Sequence, residues 1–229
     1  MRTFVEKSLI KPRIAKRIAY EFADATETVI LNLGVGLPTM VSNYIDNKNV
    51  FLQAENGMLG VGAIADEAEA DPYLINAGRQ RVKETVGCSY FDSALSFGMI
   101  RGGHVDATVI GAFEVDEEAT IANWIIPNGR MLGVGGAMDL VSGAKKVIIG
   151  MSHFLKSGES KIVKTCSYPV TGCGLADMIV TELGVFSYPD GKLTLTEIAP
   201  EISVDELAEL TEARFHVADD IKEMYPIEG

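Results

Sequence analysis

Near the start of the chain, apolar side chains recur at Ile10, Ile14, Ile18 and Phe22. Four-residue spacing lays them on one face of a helix. Lys11, Arg13, Lys16 and Arg17 fall on or near the other side. A basic amphipathic start is also how a mitochondrial transit peptide reads. Acidic Glu6 and Glu21 interrupt it, however, and the pattern runs directly into the next strand, so an ordinary packed helix is the better reading. Short apolar runs follow at Thr28–Leu33, Val50–Ala54, Val105–Ile110 and Lys146–Ile149, with helical patterns at Thr39–Ile45, Phe91–Ile100 and Ala137–Val141. Strands alternating with helices predict an α/β chain: a mostly parallel open sheet with helices on both faces. Toward the C-terminus, Leu183–Tyr188 and Lys192–Ile198 flank Pro189-Asp190-Gly191, a hairpin signal. Ser203-Val204-Asp205-Glu206 reads as a capping box that opens a last helix through about Leu210. No repeat, low-complexity tract or linker divides residues 1–229, which predicts a single domain.

Composition narrows the function. Of 229 residues, 47% are apolar and 23% charged, which fits a packed globule and excludes wholesale disorder. Twenty Lys and Arg against 32 Asp and Glu leave a net charge of −12, a poor match for a nucleic-acid partner. No apolar run approaches the ~20 residues of a membrane span. The three cysteines, Cys88, Cys166 and Cys173, are odd in number and lack C-x-x-C spacing, which argues against a disulfide framework or zinc site and fits a cytoplasmic location. His104, His153 and His216 are far apart in sequence, so no metal site is expected.

Three glycine-rich segments follow predicted strands. Asn32-Leu33-Gly34-Val35-Gly36-Leu37-Pro38 resembles a dinucleotide fingerprint but has Thr39 in place of the third glycine, and it lacks a Walker lysine. It still offers main-chain N–H groups around Gly34 and Gly36 to an anion or carbonyl oxygen. In Gln53-Ala54-Glu55-Asn56-Gly57, Glu55 stands where an apolar strand meets what reads as a glycine-rich loop, Gly57–Gly62, at the carboxyl edge where open α/β sheets bind ligands. Gly133-Val134-Gly135-Gly136 opens a predicted helix and lets main-chain amides approach a substrate. On spacing alone, a solvated Glu and a tight strand–helix turn are the better readings of the last two.

Together these blocks look like a known family. Gln53–Gly57 closely resembles the S-E-N-G signature of family I coenzyme A transferases. Asn32–Pro38, Ser96–Asp106, Ile121–Trp124 and Gly133–Leu140 resemble further blocks of the β subunit of the 3-oxoacid (acetoacetate or butyrate–acetoacetate) type, in order from about Lys16 to about Arg214. The resemblance implies a CoA transferase fold of the ribose-isomerase-like kind. It implies Glu55 as a nucleophile that carries first the acyl group and then CoA, in a ping-pong reaction with coenzyme A or acyl-CoA as substrate and no permanently bound cofactor. An ordinary Glu has a pKa of ~4.3 and needs no partner base for this. Gly135 and Gly136 are then the oxyanion donors, Asn56 and Gly57 shape the turn that exposes Glu55, and His104 is structural. The partner implied is a separately encoded α subunit carrying G-G-F-x(3)-G-x-P, in a heterodimer or α2β2 heterotetramer. Relatives usually have Ser where Ala54 stands, Gly where Arg79 stands, and an L-P-G run where this chain has Glu84-Thr85-Val86-Gly87-Cys88, so Ala54 and Arg79 are candidates for tuning the acyl substrate. The rival readings are a non-catalytic sugar- or metabolite-binding protein on the same fold and a Rossmann dehydrogenase.

Overall fold

The computed structural model describes residues 4–225 except residues 69, 128 and 130–132. Helix α1 (Lys7–Tyr20) leads into β1 (Val29–Leu33), a 3-10 helix (Pro38–Tyr44) and β2 (Val50–Ala54). β3 (Met58–Ile64) and β4 (Val82–Tyr90) then turn back antiparallel, ahead of α2 (Ser93–Arg101) and β5 (Ala107–Ile110). β6 (Glu114–Asp116), β7 (Ile121–Ala122), α3 (Ala137–Gly143), β8 (Val147–Gly150) and β9 (Ile162–Val163) follow. The chain continues through β10 (Met178–Val180), β11 (Gly184–Ser187), β12 (Thr194–Ile198), α4 (Val204–Leu210) and β13 (His216–Glu223).

Ten strands make one sheet in the order β13-β12-β11-β10-β8-β5-β1-β2-β3-β4, and β7-β6-β9 make a smaller one. The run from β10 to β2 is parallel throughout, and antiparallel turns extend it on both sides. Successive strand residues face opposite sides. Leu31 accordingly packs in a large cluster with Ile14 and Ile18 of α1, whereas Ile30 packs with Ile100, Val105 and Leu140 beside α2 and α3. Helices therefore cover both faces, as the alternating pattern predicts. The C-terminal hairpin forms around Pro189–Gly191, and both hydrogen bonds of the Ser203–Glu206 capping box are present. No helix among the described residues is long and apolar enough to cross a membrane.

Two expectations need correction, and the basic side of α1 needs completing. Arg13 and Arg17 are buried, at 8% and 5% exposure. Arg13 forks onto Glu201 at 2.8 and 2.5 Å, and Arg17 onto Glu197 at 2.7 and 2.5 Å. Two-pronged guanidinium–carboxylate pairing lets these charges leave water and clamps α1 to β12 and the turn after it. Thr39–Ile45 is not α-helical. The Thr39 hydroxyl donates to the Gly34 carbonyl (3.1 Å) and the Ser42 hydroxyl to the Thr39 carbonyl (2.8 Å), so side chains compete with the main chain and the tighter 3-10 form results. The segment Gly57–Gly62 is no loop either. Met58 and Val61 bury against Ala54 and Val82, and a Cβ on Gly62 would lie 2.7 Å from the Lys83 carbonyl oxygen. The glycines there let β4 press onto β3.

His153 is fully buried, with its ring nitrogens 3.3 Å from the Thr181 hydroxyl and 3.0 Å from that of Thr211. Burial, with the Lys161 ammonium nearby, pushes its pKa from 6.5 down to about 3. The folded chain refuses a proton that the unfolded chain accepts. The stability due to neutral His153 is therefore complete above pH 6.5 and lost as pH falls from there toward 3. Melting temperatures taken from about pH 7 to about pH 4 should decline, and His153→Gln should flatten that slope. An unaltered slope would exclude His153 as its source.

Candidate active site

β2 ends at Ala54, and Glu55, Asn56 and Gly57 turn the chain into β3. The Gly57 amide donates to the Ala54 carbonyl at 3.0 Å, with Gly57 at φ +123°. A Cβ there would lie 2.0 Å from the Phe91 carbonyl oxygen, so only glycine fits. The Asn56 carboxamide donates to the Ile75 carbonyl (2.9 Å) and ties the turn to the segment before β4. Glu55 thus stands half-buried at the carboxyl edge, beside the end of β1.

The opposing wall is the loop ahead of α3. A Cβ built on Gly136 would lie 3.0 Å from the Glu55 Oε1 and 2.9 Å from the Phe97 ring. Gly136 therefore sits directly between the carboxylate and α2. Gly133 (φ +83°) and Gly135 (φ +51°) hold conformations that L side chains rarely adopt. Among the described residues, neither the Gly135 nor the Gly136 amide has a main-chain acceptor. Burial raises the Glu55 pKa above the ordinary carboxylate value, the polar Asn32 side chain nearby pulls the other way, and the Asp139 charge adds to the rise. Asp139 in turn binds Arg101 at 2.9 Å.

Other anticipated residues have varied placements. The Gly34 amide is spent on the Val109 carbonyl (2.8 Å), so it serves the sheet; Gly36 (φ +94°) has open space around it. Beside Gly36 lies a cleft of about 260 Å³, walled by Val35, Met40, Ile64 and Gly78. Ala54 turns away from Glu55 into the cluster of Met58, Val61 and Val82. Arg79 is exposed in the turn Asn76–Gln80 at φ +63°, a left-handed position that glycine adopts more easily. His104 is exposed in the turn after α2, next to Asp106, which accepts from the Ile30 amide at the start of β1; that is the amino edge, the far end from Glu55. Cys88, Cys166 and Cys173 are free, and no group of three or more His, Cys, Asp or Glu among the described residues could hold a metal ion. Asn32, Gln53, Phe97 and Asp139 were given no role from sequence. For Asn32 and Gln53 the signal was available, since each is a polar residue in an otherwise apolar strand, and buried polar groups need partners.

Comparison with known proteins identifies the family. The family described as Coenzyme A transferase matches residues 11–210. The chain is 54% identical over 215 residues to the β subunit of the acetate CoA-transferase of Haemophilus influenzae, covering 93% of this chain and 95% of that one. It is 46% identical over 212 residues to a subunit of the probable succinyl-CoA:3-ketoacid coenzyme A transferase of Bacillus subtilis, covering 92% of this chain and 97% of that one. A solved acyl-CoA transferase from Escherichia coli O157:H7, in a thioester complex with CoA, matches with a TM-score of 0.73 at 20% identity, over 94% of this chain and 43% of that longer one. At such identity the likeness speaks for the fold alone, and the sequence relatives speak for the family. The chain belongs to the coenzyme A transferase family, as a β-type subunit.

Proposed function

We propose that Glu55 is the covalent nucleophile in the transfer of CoA between short-chain carboxylic or 3-oxo acids. The observation that carries this reading is the close approach of Gly136 to the half-buried Glu55 carboxylate, where a Cβ would lie 3.0 Å from Oε1. The Glu55 carboxylate attacks the acyl-CoA carbonyl; the C–S bond breaks, CoA leaves as thiolate, and an acyl-glutamyl anhydride remains. The thiolate attacks the Glu55 carbonyl carbon, and the first acid departs as its carboxylate. The resulting glutamyl-CoA thioester is attacked by the acceptor carboxylate, the thiolate returns to the new acyl carbon, and Glu55 is regenerated. Every transfer conserves the thioester, so no external energy source is required. Gly135 and Gly136 are the proposed donors to the oxyanions of these steps. Gly36 and the cleft beside it offer room for substrate, while Asn56 and Gly57 hold the turn. Arg79, on an exposed turn, is the candidate for selecting among acids.

The named relatives differ in their acids, acetate in one and succinyl-CoA with a 3-ketoacid in another. Short-chain carboxylates are the class they share. Both relatives are subunits, and a chain of net charge −12 is a poor sole host for a polyanion such as CoA. We therefore assign the working enzyme to a complex with a separate α subunit, αβ or α2β2, that contributes cations. Three free cysteines favour a cytoplasmic location.

With the partner present, Glu55→Ala should lower turnover by roughly 10⁴ or more. Borohydride added after acyl-CoA should inactivate the native enzyme by reducing a thioester on Glu55; near-normal turnover of Glu55→Ala would end the mechanism. Gly136→Ala should cost on the order of 10²–10³ in turnover with little change in melting temperature. Gly135→Ala should also slow turnover, because its left-handed backbone would shift; full activity in both variants would remove the oxyanion role. The isolated chain, assayed with acetyl-CoA and a panel of short acids, should transfer CoA far more slowly than the mixed complex. Equal rates would refute the divided site.

A further inference from the structure

Helix α2 touches both halves of the candidate site. Just ahead of it, the Phe91 amide donates to the Gly57 carbonyl (3.0 Å), and the Asp92 carboxylate caps the helix at the Leu95 amide (2.8 Å). One turn on, the Ser96 Oγ accepts from the Gln53 Nε2 (2.9 Å), and both residues are buried to 4% exposure or less. Gln53 is held in turn from β1 and β5. Its Oε1 accepts from the Asn32 Nδ2 (2.7 Å), and the Asn32 Oδ1 accepts from the Thr108 hydroxyl (3.3 Å), with Asn32 opposite both in the parallel register. α2 is therefore fastened to the chain two residues before Glu55, at Gln53, and two residues after it, at Gly57.

The next residue of α2 meets the other half. A Cβ on Gly136 would lie 2.9 Å from both Cε1 and Cζ of the Phe97 ring and 3.0 Å from the Glu55 Oε1. Ring, main chain and carboxylate thus converge on one point. Phe97 also packs against the cluster of Ile100, Val105 and Leu140, and the Leu140 amide of α3 donates to the Gly136 carbonyl (3.0 Å). Farther along, Arg101 binds Asp139 at 2.9 Å, and a Cβ on Gly143 would strike the Ile100 carbonyl. These contacts seat α3 and its first residue closely on α2.

We propose that Ser96 and Phe97 are positioning residues that set the gap between the Gly136 main chain and the Glu55 carboxylate, Ser96 by fixing α2 to β2 and Phe97 by backing Gly136. The proposal rests on Glu55 being the nucleophile and Gly136 an oxyanion donor. Without the ring, Gly136 could retreat from the carboxylate, and a misplacement of about 1 Å costs on the order of 10² in rate.

The test joins kinetics of the enzyme assembled with its partner to NMR of the full chain. Phe97→Ala should lower kcat by roughly 10–100-fold while KM for acyl-CoA changes by less than about threefold. Phe97→Leu, which restores apolar bulk, should recover most of the loss. Ser96→Ala, which leaves the buried Gln53 amide without its partner, should lower kcat in the same way by less. The NMR arm reads the gap without turnover. The sequence has two Gly-Gly pairs, Gly102-Gly103 and Gly135-Gly136, so glycine labelled with 13C at the carbonyl and 15N at the amide gives two coupled amide signals, those of Gly103 and Gly136. Glu55→Gln should move the Gly136 signal and leave that of Gly103. In the Phe97→Ala chain the same substitution should move it about half as far or less. A ring that served stability alone would lower the melting temperature and leave this response intact. If Phe97→Ala does not fold, Ser96→Ala decides by the same two readouts. A Gly136 signal that ignores Glu55→Gln, or an undiminished response in the folded variants, would overturn the proposal whatever happens to kcat. A weakened response with full kcat would uphold the gap-setting and count against the roles given to Glu55 and Gly136, as would native enzyme that borohydride fails to trap.

Discussion

The arrangement turns on the contact between Gly136 and Glu55. A carboxylate that must attack a thioester has to be ionised, yet water around it would blunt both the nucleophile and any donor that meets the developing oxyanion. Here the carboxylate is half-buried, and Gly136 approaches it closely enough to leave no room for a side chain. Any side chain at position 136 would occupy the space between Glu55 and Phe97. Gly57 imposes a matching restriction from the other side, because the Phe91 carbonyl takes the place a Cβ would need. Two glycines with different constraints therefore fix the two walls of one site.

The same edge of the sheet is held firm from a distance. The β2–β3–β4 hairpin extends the parallel sheet beyond Glu55, and the close approach of β4 at Gly62 stiffens it. On the far side, Arg13 and Arg17 lock α1 onto Glu201 and Glu197. Removing one partner of a buried pair leaves an uncompensated charge, so such clamps are costly to break whatever their net contribution. The candidate site thus hangs from strand ends, on the turn between β2 and β3 and on the loops after β1, at Asn76–Gln80 and ahead of α3. Arg79 holds a left-handed backbone at φ +63°, a conformation that glycine adopts more easily.

Shared fold and shared chemistry are separate matters here. The solved acyl-CoA transferase shares the architecture at 20% identity, whereas the relatives at 46–54% carry the family assignment. What the Glu55 neighbourhood adds is a graded field. Asn32 and Asp139 pull the carboxylate in opposite directions while burial sets the baseline. The opposed effects come from β1 and α3, elements far apart in sequence, so a substitution in either shifts the Glu55 titration without replacing Glu55.

Much of this was legible before any coordinates. Four-residue apolar spacing located α1 and short apolar runs located the strands around β1, β2, β5 and β8, while Pro189-Asp190-Gly191 and Ser203–Glu206 marked the late hairpin and helix, because such signals act within a few residues. The Glu55-Asn56-Gly57 turn carried its own chemistry in sequence order. The rest depended on partners distant in the chain. β3 looked like a loop because its glycines make sense only once β4 lies against them. The burial of Arg13 and Arg17 was not legible because Glu201 and Glu197 lie 188 and 180 residues away. Asn32, Gln53, Ser96 and Thr108 read as isolated polar residues until the parallel register aligned them beneath Glu55. Local propensity is written in neighbouring residues, whereas burial and hydrogen-bond partnership are properties of the closed fold, and only the tertiary structure decided them.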